Sequence, residues 1–316
     1  MKKVLFICGS INQTSQMYQI SRHLNNCECY FTPYYGDGIV KILSRTGALD
    51  FTILGGAFKQ NTERYLHEHG CIIDKEGKTN NYDLVVTCSD LIVQNNIRKK
   101  KIILVQEGMT DPENMVFKIV KRFGLPRYLA STSTTGISNA YEKFCVASEG
   151  YRDLFVRKGA KPEKIVVTGI PNFDNARQYL DNNFPYKNFA LVATSDARET
   201  FKFDNRKAFL KKAISIAGDN QMIFKLHPNE NVSRSTREIN ELAPGALVFP
   251  DGNAHHMVAN CDVLITQYSS LAFTGIALEK EVHSYFDTAL LKRLKPIQNG
   301  GSSAQRIADV CRDYLQ

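Results

Sequence analysis

QMIFKLHPNE, Gln221 to Glu230, runs an apolar segment straight into a Lys, a His and a Pro. On an extended chain side chains alternate, so Lys225 and His227 fall on one side, and Pro228 ends the strand. Polar residues directly after a buried strand are the pattern of an open α/β sheet, whose ligands sit just beyond the carboxyl ends of its strands. The fold therefore depends on whether this pattern recurs.

It recurs along the chain. Short apolar runs alternate with longer amphipathic ones, as strand-helix units on a parallel sheet do. In the first half, strands are expected at KVLFIC (3–8), CECYFT (27–32), FTILGG (51–56), LVVTC (84–88), KIILVQ (101–106), KFCVAS (143–148) and KIVVTG (164–169). Helices fall between them, for example over 13–24 and 150–158. In the second half, strands are expected at FALVAT (189–194), QMIFKL (221–226), ALVFP (246–250), DVLITQ (262–267) and EVHSYF (281–286). Polar residues and Pro185 break the periodicity in YLDNNFPYKN, 179–188. At 316 residues the chain exceeds what one core organises. The expectation is an α/β protein of two Rossmann-like, doubly wound parallel-sheet domains, 1–183 and 184–316, with a ligand cleft between them.

Composition narrows the class. Hydrophobic residues at 43% and charged residues at 23% are ordinary for a globular protein, which excludes a disordered or fibrous chain. No apolar run approaches ~18 residues. MKKVLFICGS reads as a first strand rather than a signal peptide, so a cytoplasmic location is expected. The eight cysteines include no CxxC pair, which argues against a disulfide framework or structural zinc. A net charge of +8 favours phosphate-bearing partners. With no arginine-rich tract or nucleic-acid-binding motif, nucleic acid is not expected among them.

The strand exits carry the candidate chemistry. Lys225 and His227 offer donors to a diphosphate, although an isolated His-Pro pair is more simply read as a histidine held by a local carbonyl. In LITQYSSLAFTGIAL, 264–278, a strand turns into a helix with Ser269 and Ser270 at N-cap positions, where hydroxyls and exposed amides receive phosphate or simply cap the helix. In LVATSDARET, Ser195 and Arg198 follow a strand, and the guanidinium could grip a phosphate bidentately. In LVQEGMTDPEN, Glu107 precedes Gly108 and is a candidate general base. Gly9 and Ser10 leave the first strand and could receive an acceptor or a phosphate, but the segment is no GxGxxG.

In this order the segments resemble the two-domain GT-B superfamily of glycosyltransferases and sugar-nucleotide epimerases. IVVTGIPNFDN resembles the VTGNPxxD of UDP-N-acetylglucosamine 2-epimerases, LVQEGMTDPEN their HVEAGLR, and ATSDARETF their THRREN. The CDP-glycerol glycerophosphotransferases, which build teichoic-acid-like polymers and capsule, are matched by KLHP, by CDVLITQYSS against ADVLITDYSS, and by SYFD at 284–287. The similarity runs over residues 84–290. It implies a nucleotide-activated donor, CDP-, CMP- or UDP-linked, with no further cofactor and no metal. Ser195, Arg198, Lys225, His227, Pro228, Gln267, Ser269 and Ser270 would bind that donor. Glu107 would serve the acceptor, with Gly9, Ser10 and Gly108 beside it, and His227 would share the catalysis.

The departures bear on activity. Gln267 stands where both branches carry Asp, and Thr274 where they carry an acid one turn into the next helix. Asp196 and Ala197 interrupt the HRRE pattern, and the His before Glu107 is missing. Epimerisation at C2 needs several proton-transfer groups, so transfer of a sugar or alditol phosphate to a surface-polysaccharide or glycolipid acceptor is the expected activity. A 2-epimerase and a catalytically silent nucleotide- or glycan-binding protein are the alternatives. NMVFKIVKRF, 114–123, is a basic amphipathic segment suited to peripheral contact with an anionic membrane, or to packing on its own sheet. His255 and His256 diverge by ~100° if helical and are read as surface residues rather than metal ligands.

Overall fold

The computed structural model describes residues 1–199 and 203–316; Thr200 and Phe201, which close the ATSDARETF stretch, lie outside them. The described chain divides into two compact units, 1–174 with 296–316, and 175–295.

The first unit is built on a seven-stranded parallel sheet: β1 (Lys2–Cys8), β2 (Cys27–Pro33), β3 (Ile72–Ile73), β4 (Leu84–Thr87), β5 (Lys101–Val105), β6 (Lys143–Val146) and β7 (Ile165–Val167). Their order is β3-β2-β1-β4-β5-β6-β7. The helices that follow the strands are α1 (Ile11–Ser21), α2 (Gly38–Arg45), α3 (Gly56–Glu68), α4 (Met115–Phe123) and α5 (Glu149–Lys158). Every residue of β4 is buried, as expected of a strand covered on both faces. The order reverses between β1 and β4, and such a switch point opens a crevice at the carboxyl ends of the strands.

The strand expected at 51–56 does not form. Thr52 Oγ1 donates to the Leu49 carbonyl at 2.7 Å, and Gly56 N donates to the Asp50 carboxylate at 3.0 Å, so the chain turns here and enters α3. Gly56 adopts a φ of +52°, and a Cβ on it would meet the Asp50 carbonyl oxygen at 2.2 Å. That backbone belongs to glycine. The remaining strand of the sheet is instead the two-residue β3, too short for alternation to reveal.

The second unit has the five-stranded parallel order β10-β9-β8-β11-β12. Its strands are β8 (Ala190–Ala193), β9 (Met222–Lys225), β10 (Leu247–Phe249), β11 (Val263–Thr266) and β12 (Glu281–His283). Its helices are α6 (Arg206–Ala217), α7 (Val232–Leu242), α8 (Ala254–Asn260), α9 (Leu271–Ala277) and α10 (Thr288–Leu294). The switch point lies between β8 and β11, the strands whose exits lead to Ser195 and Gln267 respectively. Phe209, Leu210 and Ala213 of α6 pack on Val192, Phe224 and Ile265 of the sheet.

These units differ from the expected 1–183 and 184–316. The last helix, α11 (Ser303–Asp313), returns to the first unit, where Ile307, Ala308 and Cys311 join Val4, Phe6 and Val86 in one core. Asp174 anchors the return: its carboxylate accepts from Ser303 N at 2.8 Å and its carbonyl from Asn299 N at 2.9 Å.

Candidate functional site

In the first unit the exits of β1 and β5 meet in one hydrogen-bonded group. Ser10 caps α1, its hydroxyl accepting from Gln13 N at 3.2 Å. That hydroxyl also donates to Glu107 Oε1 at 2.6 Å, while Gln13 Nε2 donates to Oε2 at 2.7 Å. Gln16, fully buried, donates to the Glu107 carbonyl at 3.1 Å. Carboxylate and backbone of Glu107 are thus both held from α1. Each carboxylate oxygen has two lone pairs, so one remains on each.

Gly9 and Gly108 leave close quarters beside this group. A Cβ on Gly9 would lie 2.1 Å from Gln13 Oε1, and one on Gly108 3.3 Å from the ring of Phe173. The structure therefore brings Gly9, Ser10, Glu107 and Gly108 together. The neighbouring Cys88 thiol is pushed well up by burial and then by the Glu107 charge, which leaves it an inert hydrophobe.

In the second unit the β8/β11 switch point is bridged by side chains. Ser195 Oγ donates to Gln267 Oε1 at 2.8 Å, and Gln267 Nε2 donates to Asp204 Oδ1 at 2.8 Å. An aspartate at 267 would have no donor for Asp204 and would set two carboxylates side by side. The amide suits both partners. Asp204 in turn lies 3.4 Å from Arg206 Nε and 3.7 Å from Arg198 Nε. Arg198 Nη1 donates to Glu238 at 2.8 Å, the contact that chiefly holds the guanidinium above its ordinary pKa. Buried Nη2 of Arg198 and Nη1 of Arg206 have no hydrogen-bond partner among the described residues.

Lys225 and His227 separate. Lys225 is only 6% exposed, and its Nζ donates to the carbonyls of Leu226 at 2.6 Å and Pro250 at 2.9 Å. Burial lowers its pKa, against the opposing charges of Asp251 and Glu230. The reading that set both side chains on one accessible face is corrected: β9 ends at Lys225 and the chain turns, so alternation does not carry on to His227. His227 is partly exposed, with Nδ1 3.5 Å from Asp196 Oδ2 and accepting from Asn229 N at 3.3 Å. Pro228, exposed, opens the turn closed by Glu230 N on the His227 carbonyl at 3.0 Å.

The two serines differ. Ser269 Oγ accepts from Leu271 N at 3.3 Å. Ser270 takes the N-cap position of α9, but its hydroxyl makes no cap bond.

Two residues of weight escape a linear reading. Glu230, buried, accepts from His227 N at 2.9 Å, Arg206 Nη2 at 2.6 Å, Ser235 Oγ at 2.9 Å and the Thr194 hydroxyl. The terminal Glu of KLHPNE was the only available signal. His255 is the second, and its assignment to the surface is corrected. Its ring stacks on Tyr179, centroids 4.5 Å apart, and Nδ1 lies 3.0 Å from the hydroxyl of buried Thr274. Burial, and then His256, lower its pKa to about 4. A neutral imidazole thus adjoins Thr274, where the families this sequence resembles carry an acid.

Among the described residues no group of three or more His, Cys, Asp or Glu could hold a metal ion. None of their helices is long and apolar enough to cross a membrane.

No protein-family model and no curated protein matches the sequence. Solved structures do match in fold. Staphylococcus aureus MnaA, solved with UDP, is 14% identical, with 100% of this chain and 97% of that chain covered and a TM-score of 0.58. Methanocaldococcus jannaschii UDP-GlcNAc 2-epimerase, solved with UDP-GlcNAc and UDP, is 15% identical over 98% and 99%, with a TM-score of 0.57. The wall teichoic acid polymerase TagF is 12% identical over 99% and 88%, with a TM-score of 0.52, and a variant of it was soaked with CDPG. The chain has the GT-B-like fold of these enzymes.

Proposed function

We propose that this chain is a transferase that moves a sugar or alditol phosphate from a CDP-, CMP- or UDP-linked donor to a surface-polysaccharide or glycolipid acceptor. The observation that supports it most is the β8/β11 switch point, where Ser195 and Gln267 meet and two buried, ion-paired guanidinium groups each keep N–H donors that have no hydrogen-bond partner among the described residues. Such donors suit phosphate oxygens, which only accept. The UDP, UDP-GlcNAc and CDPG of the similar structures belong to the same chemical class of ligand.

In this reading the second unit binds the donor through Ser195, Arg198, His227, Gln267, Ser269 and Ser270. Lys225 supports the site by tying β9 to the Pro250 turn. Glu107 takes the proton of the attacking acceptor hydroxyl as the acceptor oxygen bonds to the transferred group. The bond from that group to the nucleotide's phosphate oxygen breaks, and its electrons leave with the nucleotide. Ser10 and Gln13 hold the carboxylate in one orientation while a lone pair stays available. His227 and the serine hydroxyls stabilise charge on the departing phosphate. The protein works at the cytoplasmic face of a membrane, with α4 presenting Met115 and Phe123 to it.

Kinetics of two variants test the roles. Glu107→Gln is expected to lower kcat by about 10²- to 10⁴-fold with donor affinity kept. His227→Ala is expected to weaken the donor. Equal loss of donor affinity in both would contradict the assignment.

The Asp196–His227 contact favours one second reading, because a carboxylate beside an imidazole is a proton-transfer pair suited to a 2-epimerase. UDP-sugars incubated without acceptor decide between them. A C2-inverted sugar supports epimerisation, whereas turnover only on adding an acceptor supports transfer.

A further inference from the structure

A cavity of about 210 Å³ opens at the carboxyl end of β2 in the first unit, one strand away from the Ser10–Glu107 group. Its floor is the buried run Thr32 to Gly36. Tyr34 and Tyr35 are fixed there, Tyr34 by Ser89 at 3.2 Å and Tyr35 by Asn96 at 2.9 Å. The rim is cationic, with Lys41, Arg45, Lys59 and Lys75 set against Glu63 and Glu76.

Glu76 is already neutralised. Lys41 Nζ donates to it at 2.5 Å and Lys78 donates to the same oxygen. Its backbone takes the left-handed φ of +61°, unusual for a side chain of this kind and held by Glu76 N donating to Thr32 Oγ1 at 2.9 Å. Arg45, Lys59 and Lys75 have no carboxylate within ion-pair distance among the described residues. A structured floor, a strained rim residue with its charge cancelled, and three unspent cations together describe an anion receptor. The volume is below the ~300–1,000 Å³ of pockets that enclose a drug-sized ligand, so a phosphate group fits rather than a whole nucleotide.

We propose that this cavity binds a phosphate group of the acceptor, either a phosphomonoester or a diphosphate. Anion binding here stands without the transferase reading; only its attribution to the acceptor rests on that reading. Helix α3 connects the two places, since Lys59 lines the cavity while Thr62 Oγ1 donates to the Gly9 carbonyl at 2.6 Å. A phosphate held on the rim would thus anchor the acceptor one strand away from Ser10, which holds the base.

Amine-reactive labelling of the full chain, read peptide by peptide by mass spectrometry at ~0.15 M salt, tests this locally. The probes are inorganic pyrophosphate and glycerol 3-phosphate. Either probe is expected to slow labelling of Lys59 and Lys75; protection by pyrophosphate alone points to a diphosphate head group, and by glycerol 3-phosphate alone to a polyol phosphate. Arg45→Gln, an exposed substitution, is expected to raise the half-protecting concentration at least about tenfold. Ser269→Ala with Ser270→Ala should leave it unchanged, which separates this site from donor binding. Labelling rates that neither probe changes at millimolar concentration, or protection indifferent to Arg45→Gln, would overturn the proposal.

Discussion

Glu230 holds the exit of β9 in shape. Its carboxylate carries the only negative charge that accepts a hydrogen bond from Arg206 among the described residues, and it also fixes the His227 amide. Glu230→Gln removes that charge while keeping the shape, leaving a guanidinium that is 6% exposed without its closest counter-ion. Breaking a buried pair from one side costs on the order of 3–5 kcal/mol. Urea denaturation is expected to show a lower midpoint with an unchanged slope, and a midpoint equal to wild type would refute the role given to Glu230. His227 and Glu107 could be picked out of the sequence because each directly follows an apolar run. Glu230 could not, because its partners Thr194, Arg206 and Ser235 belong to three other segments. Lys225 misled for the same reason: the carbonyl of Pro250 that captures it lies on a separate loop, invisible to alternation along the strand.

At the scale of elements, α4 shows how far a hydrophobic pattern can be read. NMVFKIVKRF was compatible with both a membrane face and a packed face, and the helix has a packed side and an exposed apolar side. Phe117 and Val120 are 3% exposed and pack with Ala130, whereas Met115 and Phe123 are 69% and 68% exposed beside Lys118 and Arg122. Exposed apolar groups flanked by cations suit an anionic bilayer. Flotation with phosphatidylserine vesicles at low salt is expected to carry the wild-type chain upward and to leave Met115→Ser/Phe123→Ser behind, since each buried side chain contributes ~1.5–3 kcal/mol. Wild-type protein that stays at the bottom would remove the membrane contact. FTILGG at 51–56 was misread as a strand because apolar composition alone cannot distinguish a strand from turns pinned by Asp50. Likewise, no pattern read after 281–286 showed that α11 would cover the sheet of β1.

Across the whole molecule, the sequence supports the outline better than the division. Eleven of the strands lie where apolar runs end in polar residues, because a parallel sheet buried on both faces needs such runs. Return of the last segment to the first unit depends on a contact between Asp174 and Ser303, 129 positions apart, which no local pattern encodes. A net charge of +8 is consistent with phosphate-bearing ligands in either unit, and binding should weaken as salt screens it. The central claim is that a nucleotide binds where β8 and β11 end. Calorimetric titration of the full chain with CMP, CDP and UDP tests it most directly. The account predicts one nucleotide site whose affinity falls at least about tenfold in Ser195→Ala/His227→Ala. Binding that is unchanged in that variant, or absent for all three nucleotides at millimolar concentration, would contradict it.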